Sequence, residues 1–192
     1  MNVARELFVR EGYEAVTLRR IAGAISYTAP AIYRHFSDKE QLIREICQVD
    51  FGRFANRFQS ALTIADPVER LRAIGKAYVQ FGVKNPNHYR LMFMVGYGGR
   101  PNSDQYKTRG NPAHDAYAAL QHTVAAIIKA RRVRATTAHA ELLCQTFWAG
   151  VHGVVSLEIC KERHRDWVEW APLERRTDMI IDAMISGLTV KR

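Results

Sequence analysis

The chain has 192 residues, 47% of them hydrophobic and 24% charged, with a formal net charge of +9. This is the balance of a folded domain, or of a small head on a larger body, and it excludes a fibrous or disordered chain. A basic balance suits a polyanionic partner, yet the first 60 residues hold nine Lys/Arg against seven Asp/Glu and the remainder nineteen against twelve, so charge alone places no nucleic-acid surface.

The start, Met1-Asn2-Val3-Ala4-Arg5-Glu6, is charged early and lacks an apolar run, so no signal peptide is expected. A first helix is expected from Val3 to Glu11, with Ala4, Leu7 and Phe8 on one face and Gly12 ending it. Thr17 caps a short second helix that turns Leu18, Ile21 and Ala22 inward. After Ile25-Ser26-Tyr27, Thr28 caps a third short helix with Pro30 in its first turn, where a missing N–H costs nothing. Ser37-Asp38-Lys39-Glu40 reads as a capping box, Ser37 pairing with Glu40, that opens a longer fourth helix through Leu42, Ile46, Val49 and as far as Phe58.

Beyond it, helical periodicity continues. Helices are expected from Pro67 to Asn85, from Pro86 through Tyr89, Met92 and Phe93, from Pro112 to Arg131, from Thr137 to Glu162 and from Pro172 to Leu188. Tyr97 to Asn111, punctuated by Gly and Pro, reads as a loop. The fold class is therefore all-α: a three-helix head with a helix-turn-helix on a larger helical bundle, about nine helices in all. The apolar run from Leu142 to Cys160 could suggest a membrane span, but Gln145, His152 and Glu158 interrupt it, and a helix buried on nearly all sides of a core is the better fit.

Two short helices joined by a tight turn behind a packing helix suit DNA, with the second helix entering the major groove. Ile21, Ala22 and Ile25 on the first of the pair, and Ile32 and Phe36 after it, are expected inward. Ala29, Pro30, Ala31, Tyr33, Arg34 and His35 are left to face outward.

Gly12-Tyr13, Thr17, Ile21-Ala22, Thr28, Pro30, Ile32-Tyr33, His35-Phe36 and Lys39 follow in order, without insertion, the helix-turn-helix pattern of TetR-type transcriptional regulators, which this segment resembles. The resemblance implies a homodimer that binds double-stranded operator DNA through residues 1–48 and carries ligand-binding and dimerisation functions in residues 49–192. It implies phosphate contacts from Tyr33, His35 and Lys39, helped by the cap positions Thr17 and Thr28. Arg19 and Arg34 are the candidates for guanine, while Ala29, Pro30 and Ala31 offer only apolar contact, as to a thymine methyl. Where such proteins usually carry Ala-Gly-Val in the turn, this chain has Ile25-Ser26-Tyr27, so a positive-φ turn position would be strained. The chain also begins almost within its first helix, without the basic arm common among such proteins.

Thr146-Phe147-Trp148-Ala149-Gly150-Val151-His152-Gly153-Val154 resembles the WHG-type C-terminal domain of a subset of these regulators. Phe81, Tyr89, Met92, Phe93, Tyr117, Phe147, Trp148 and His152, with Tyr78, are candidates to line a mostly apolar effector site. The stripe Ile180, Ala183, Met184, Gly187 and Leu188, with Gly150 and Gly153 on the preceding helix, is the candidate dimer interface; monomer core is the alternative. The function implied is a sequence-specific repressor released from its operator by a small apolar or amphipathic ligand. An enzyme finds no support: neither HExxH, GxSxG, a Walker motif nor a Rossmann fingerprint occurs. A helical interaction module without DNA binding is a third possibility. No cofactor and no metal site are expected, and Cys47, Cys144 and Cys160, far apart in sequence, read as reduced thiols of a cytoplasmic protein without a membrane partner.

Overall fold

The computed structural model describes residues 1–96, 109–132, 137–161 and 166–188. Among these residues there are ten α-helices and no strand: α1 (Asn2–Glu11), α2 (Leu18–Ala24), α3 (Ala29–Tyr33), α4 (Lys39–Asn56), α5 (Gln59–Leu62), α6 (Pro67–Lys84), α7 (Pro86–Phe93), α8 (Ala116–Lys129), α9 (Ala140–Cys160) and α10 (Leu173–Leu188), with a 3-10 turn at Thr137–His139 leading into α9. The short α5 accounts for the count exceeding the expected nine. Most of the loop expected over 97–111 lies outside the described residues.

Local chemistry sets the helix starts. Asp66 accepts from the N–H groups of Val68 and Glu69 at 2.8 and 3.2 Å just before Pro67 opens α6. Pro112 does not open α8 as expected: Asn111 and Ala113 form a turn, and Asp115 is the cap, accepting from Tyr117 and Ala118 at 2.9 and 3.2 Å. The expected box at Ser37 and Glu40 sits one residue later. Asp38 Oδ1 accepts from Gln41 N at 2.6 Å, and Gln41 Oε1 accepts from Ser37 N at 2.7 Å. An aspartate is a stronger acceptor for this purpose than a serine hydroxyl, and Ser37 Oγ instead donates to Asp38 at 2.9 Å. These bonds, the Gln41 N–H first, hold the Asp38 carboxyl below its usual range.

The chain divides into two compact units, residues 1–53 with 85–109 (the head unit) and 54–84 with 110–192 (the body unit). The division falls inside α4, five residues beyond the cut read from the sequence, and it gives α7 to the head unit. The reason is visible in the head core. Leu91 of α7 is fully buried in one cluster with Ala4, Leu7, Phe8, Val16, Leu18, Ile21, Ala22, Ile32, Leu42, Ile43, Ile46 and Cys47, and α7 packs along α1.

In the body unit α6 packs against α8, α9 and α10, and α9 against α8 and α10. α9 is apolar but not buried on nearly all sides. It buries one face, Leu143, Cys144, Phe147, Val151, Val154 and Val155, and leaves Leu142 and Leu157 more than half exposed on another. By length and composition alone this segment is apolar enough to cross a membrane; the buried face instead makes it a core helix of the body unit.

Candidate nucleic-acid interface

The helix-turn-helix forms as the sequence pattern requires. Thr17 Oγ1 accepts from Arg20 N at 3.1 Å and starts α2. Its inner face buries Leu18, Ile21 and Ala22, while Arg19 and Arg20 are exposed. Arg20 is engaged with Glu11 at 3.1 Å, Arg10 being the other partner of that carboxylate, whereas Arg19 stands out from α2 with no intrachain contact to describe.

The turn is closed by Ile25 N and Tyr27 N donating to Ala22 O at 3.1 and 2.9 Å. Ser26 carries it at φ 58, the left-handed region that a turn glycine would occupy without strain. Ile25 is not inward as expected: at 37% exposure it sits at the rim, because α2 ends at Ala24 and the chain turns away there. Tyr27, 62% exposed, was missed among the outward candidates; only the geometry of the turn reveals it.

α3 begins after the Thr28 cap with Pro30 in its first turn and buries Ile32. Thr28, Pro30, Tyr33, Arg34 and His35 are exposed and Ala29 and Ala31 half-buried, so the outward set falls on one surface of this short helix and its C-terminal cap, while Phe36 packs partly against the head core. Lys39 is held from below. Its Nζ donates to Tyr13 O at 2.7 Å and lies 4.1 Å over the Tyr13 ring, tying the start of α4 to the loop after α1.

Behind this surface lies a buried ionic cluster that no local pattern announces. Asp50 of α4, fully buried, accepts from Arg5 Nε and Nη2 of α1, each at 2.9 Å, and its Oδ1 lies 2.9 Å from Nδ1 of His88 on α7. Arg5 Nη1 also donates to Asn2 Oδ1 at 2.9 Å. The fork-on-fork geometry satisfies both carboxylate oxygens, which a buried charge requires.

The eight effector candidates divide between the units. Tyr89, Met92 and Phe93 are on α7 of the head unit, where the Phe93 ring is tilted against Tyr89 and meets Phe51 edge-on. Phe81, Tyr117, Phe147, Trp148 and His152 are in the body unit. There Trp148 Nε1 donates to Tyr78 Oη at 2.9 Å, and that oxygen lies 3.3 Å from His152 Nδ1. Burial holds the His152 imidazole below its usual value. Tyr117 stands edge-on to Trp148 and donates to Glu141 Oε1 at 2.6 Å; burial first, then this bond, push its phenol up. Phe81 and Phe147 are buried.

Of the interface candidates, Ile180 and Met184 are half-buried and Ala183 and Gly187 exposed, while α10 turns Thr177, Ile181 and Ile185 inward. Gly153 is half-buried, and Gly150 lets Met184 approach so closely that an added Cβ would lie 2.5 Å from its sulfur.

Residues 1–46 match the family "Bacterial regulatory proteins, tetR family", and residues 71–184 match "Tetracyclin repressor-like, C-terminal domain". That description does not name the WHG type, which stays a resemblance of the short motif. The chain is 33% identical over 99 residues to the HTH-type transcriptional activator FasR of Mycolicibacterium smegmatis, covering 51% of this chain and 45% of that protein. It is 40% identical over 52 residues to the HTH-type transcriptional repressor AcnR of Corynebacterium diphtheriae, 27% of each. The matched segments thus span less than half the length of these curated relatives. In fold, it is similar to a TetR family transcription regulator from Marinobacter aquaeolei VT8 (TM-score 0.75, 14% identity, 99% of this chain and 93% of the other). It is similar also to the fatty acid degradation regulator FadR from Bacillus halodurans (TM-score 0.72, 14% identity, 99% and 94%). With a formed helix-turn-helix and family matches at both ends, the chain belongs to the TetR family of DNA-binding transcriptional regulators.

Proposed function

We propose that this regulator is a cytoplasmic homodimeric repressor that a small apolar or amphipathic ligand releases from its operator. The observation that carries the DNA reading is the exposed surface of α3 and its cap, set on a head whose inner face is fully packed. In this reading Arg19 and Arg34 meet guanines, and Tyr33, His35, Thr17 and Thr28 meet phosphates. Lys39, which holds the loop carbonyl of Tyr13, spends its remaining protons on the backbone of the DNA. Tyr27 joins this set on its exposure. Ala29, Pro30 and Ala31 have no side-chain donor or acceptor, so the only major-groove feature they favour is the thymine methyl.

The dimer reading rests on α9 and α10. Leu142, Thr146, Ala149 and Leu157 on one helix and Met179, Ala183 and Gly187 on the other are exposed, an apolar face that a second copy would cover as a two-fold four-helix bundle. The effector reading rests on the aromatic group of the body unit, Tyr78, Tyr117, Trp148 and His152, which offers an apolar surface with phenol, indole and imidazole tips. The relatives' names include an activator and a repressor; repression by occupying a promoter is the simpler action, since it needs only the bound head.

The test is selection of duplexes from a random library by the wild-type chain. A repeated palindromic sequence is expected, with half-sites about 34–36 Å apart, bound about 1–3 kcal/mol more weakly by Arg34→Ala. Ala183→Glu should sediment as a monomer and lose tight binding. Enrichment of no sequence overturns the regulator's operator-binding reading.

A further inference from the structure

The head unit contains one segment that does not follow on from its own helices. α7 enters it directly from α6 of the body unit across Lys84–Asn85, so the covalent chain joins the two units there. Within the head unit, Leu91 is sunk in the apolar core, and apolar packing tolerates sliding. A hydrogen bond does not, and α7 makes one to the most deeply buried charge in the unit: His88 Nδ1 to Asp50 Oδ1 at 2.9 Å. That same oxygen takes Arg5 Nη2 at 2.9 Å, and the other takes Arg5 Nε at 2.9 Å. One carboxylate thus fixes α1, α4 and α7 to each other.

From this geometry we infer that His88 is the positioning residue that sets where α7 stands against α1 and α4, and that the Arg5–Asp50–His88 cluster is the joint through which body and operator-binding surface are coupled. The inference rests on the regulator reading above. The division of labour inside the cluster follows from its chemistry. Arg5 is the permanent counter-charge of Asp50, both side chains being almost completely buried. His88, whose side chain keeps 22% exposure, adds one directional bond from α7. A carboxylate only accepts, so Nδ1 carries the proton toward Asp50. Loss of His88 leaves the ion pair whole and α7 free to shift, whereas loss of Asp50 or Arg5 leaves a buried charge alone.

An asparagine can place its amide N–H where the histidine Nδ1–H stands; a leucine cannot. The experiment therefore compares His88→Leu and His88→Asn with the wild-type full chain on a duplex selected by the wild type, with the thermal midpoint measured alongside. His88→Leu is expected to weaken operator binding about fivefold to tenfold, the lower part of the usual range for coupling between sites, with little change in midpoint. His88→Asn is expected to restore binding to within about twofold. If both variants bind like the wild type, or both lose affinity alike, the joint is overturned and His88 acts, if at all, through packing. If the leucine variant loses affinity only in proportion to a large fall in midpoint, the role is stability and the inference is overturned as well. These outcomes differ from failure of the regulator reading, in which the wild type selects no duplex and the inference falls with it.

Discussion

The two units bury polar side chains in opposite ways. In the head unit the buried polar residues are Arg5 and Asp50, charged and 45 positions apart in the chain, and their bond joins two helices. In the body unit they are Thr123 and Thr177, each hydroxyl donating at 2.8 Å to the carbonyl four residues back in its own helix. Both units have apolar cores, but among the described residues only the head joins its helices through a fully buried charge pair, whereas the body's interhelical polar bonds, such as Trp148 to Tyr78, lie where the side chains are partly exposed. A surface that must match DNA to a fraction of an ångström gains from the first arrangement. If the body takes the ligand proposed above, it gains from the second, since apolar contacts can be rearranged without stranding a charge.

Breaking the head's ion pair gives the largest effect. Asp50→Ala leaves Arg5 buried without its partner and should cost about 3–5 kcal/mol, read as a fall in the urea midpoint. Thr123→Val in the body is the matching control. Its hydroxyl returns to its own helix, so the change should stay under about 1 kcal/mol. Equal effects from the two substitutions would erase the contrast.

The body's dependence on shape is tested where glycine permits close approach. A Cβ on Gly75 would lie 2.8 Å from Ile181 Cδ1 and 2.9 Å from Phe147 Cζ, two groups in the packed core. Overpacking of this kind costs about 1–3 kcal/mol, offset by about 1 kcal/mol of helix propensity, so Gly75→Ala should destabilise by about 1 kcal/mol. At Gly150 the intruded group is the end of the flexible Met184 side chain, which can turn aside. Gly150→Ala should be near neutral, and a loss as large as that at Gly75 would mean that Met184 is pinned.

In the sequence, the helices and most of the residues exposed on the helix-turn-helix were legible, because both are written in local signals. Thr17, Thr28 and Pro30 mark helix starts, and Ile21, Ala22 and Ile32 give the inner face at fixed spacing. The shift of the capping box from Ser37 to Asp38 is a choice between two adjacent acceptors that spacing alone does not decide. The Asp50 cluster was not legible at all. Its members lie 45 and 38 positions apart, and on their own helices each reads as a solvated charge or a surface histidine. The placement of Tyr89, Met92 and Phe93 was hidden for the same reason. An aromatic helix looks alike whichever unit it packs into, and Leu91 in the head core is what places α7 there.

One strain expected from the sequence is found, and relieving it should stabilise the head by a smaller amount. Ser26 at φ 58 pays the steric penalty of a side chain in the left-handed region, about 1–2 kcal/mol. Glycine removes that penalty but loses about 0.5–1 kcal/mol in backbone entropy. Ser26→Gly should thus gain about 0.5 kcal/mol, visible as a raised urea midpoint, while operator affinity is retained. A destabilised variant would show that the Ser26 side chain contributes more than its backbone costs.

The smallest effect concerns pH and falls on the body, where an uncharged core should resist protonation. His152 is half-buried on α9, its Nδ1 3.3 Å from Tyr78 Oη, and burial lowers its pKa below the ordinary 6.5. Because the folded value is the lower one, the unfolded chain takes up a proton first as pH falls. The neutral imidazole therefore contributes fully above pH 6.5, and that stability is progressively lost below it, down to the folded pKa. Urea midpoints taken at about pH 7.5 and 5.5, either side of the ordinary histidine value, should fall more for the wild type than for His152→Asn, which has no proton to gain. Contributions common to both proteins cancel in the difference. Trp148 stands beside His152 with ring centroids 6.4 Å apart, so its emission should follow the same protonation. Equal pH dependence in the two proteins would mean that the imidazole is hydrated in the folded state, and that the body tolerates charge where the packing of α6 and α9 argues that it does not.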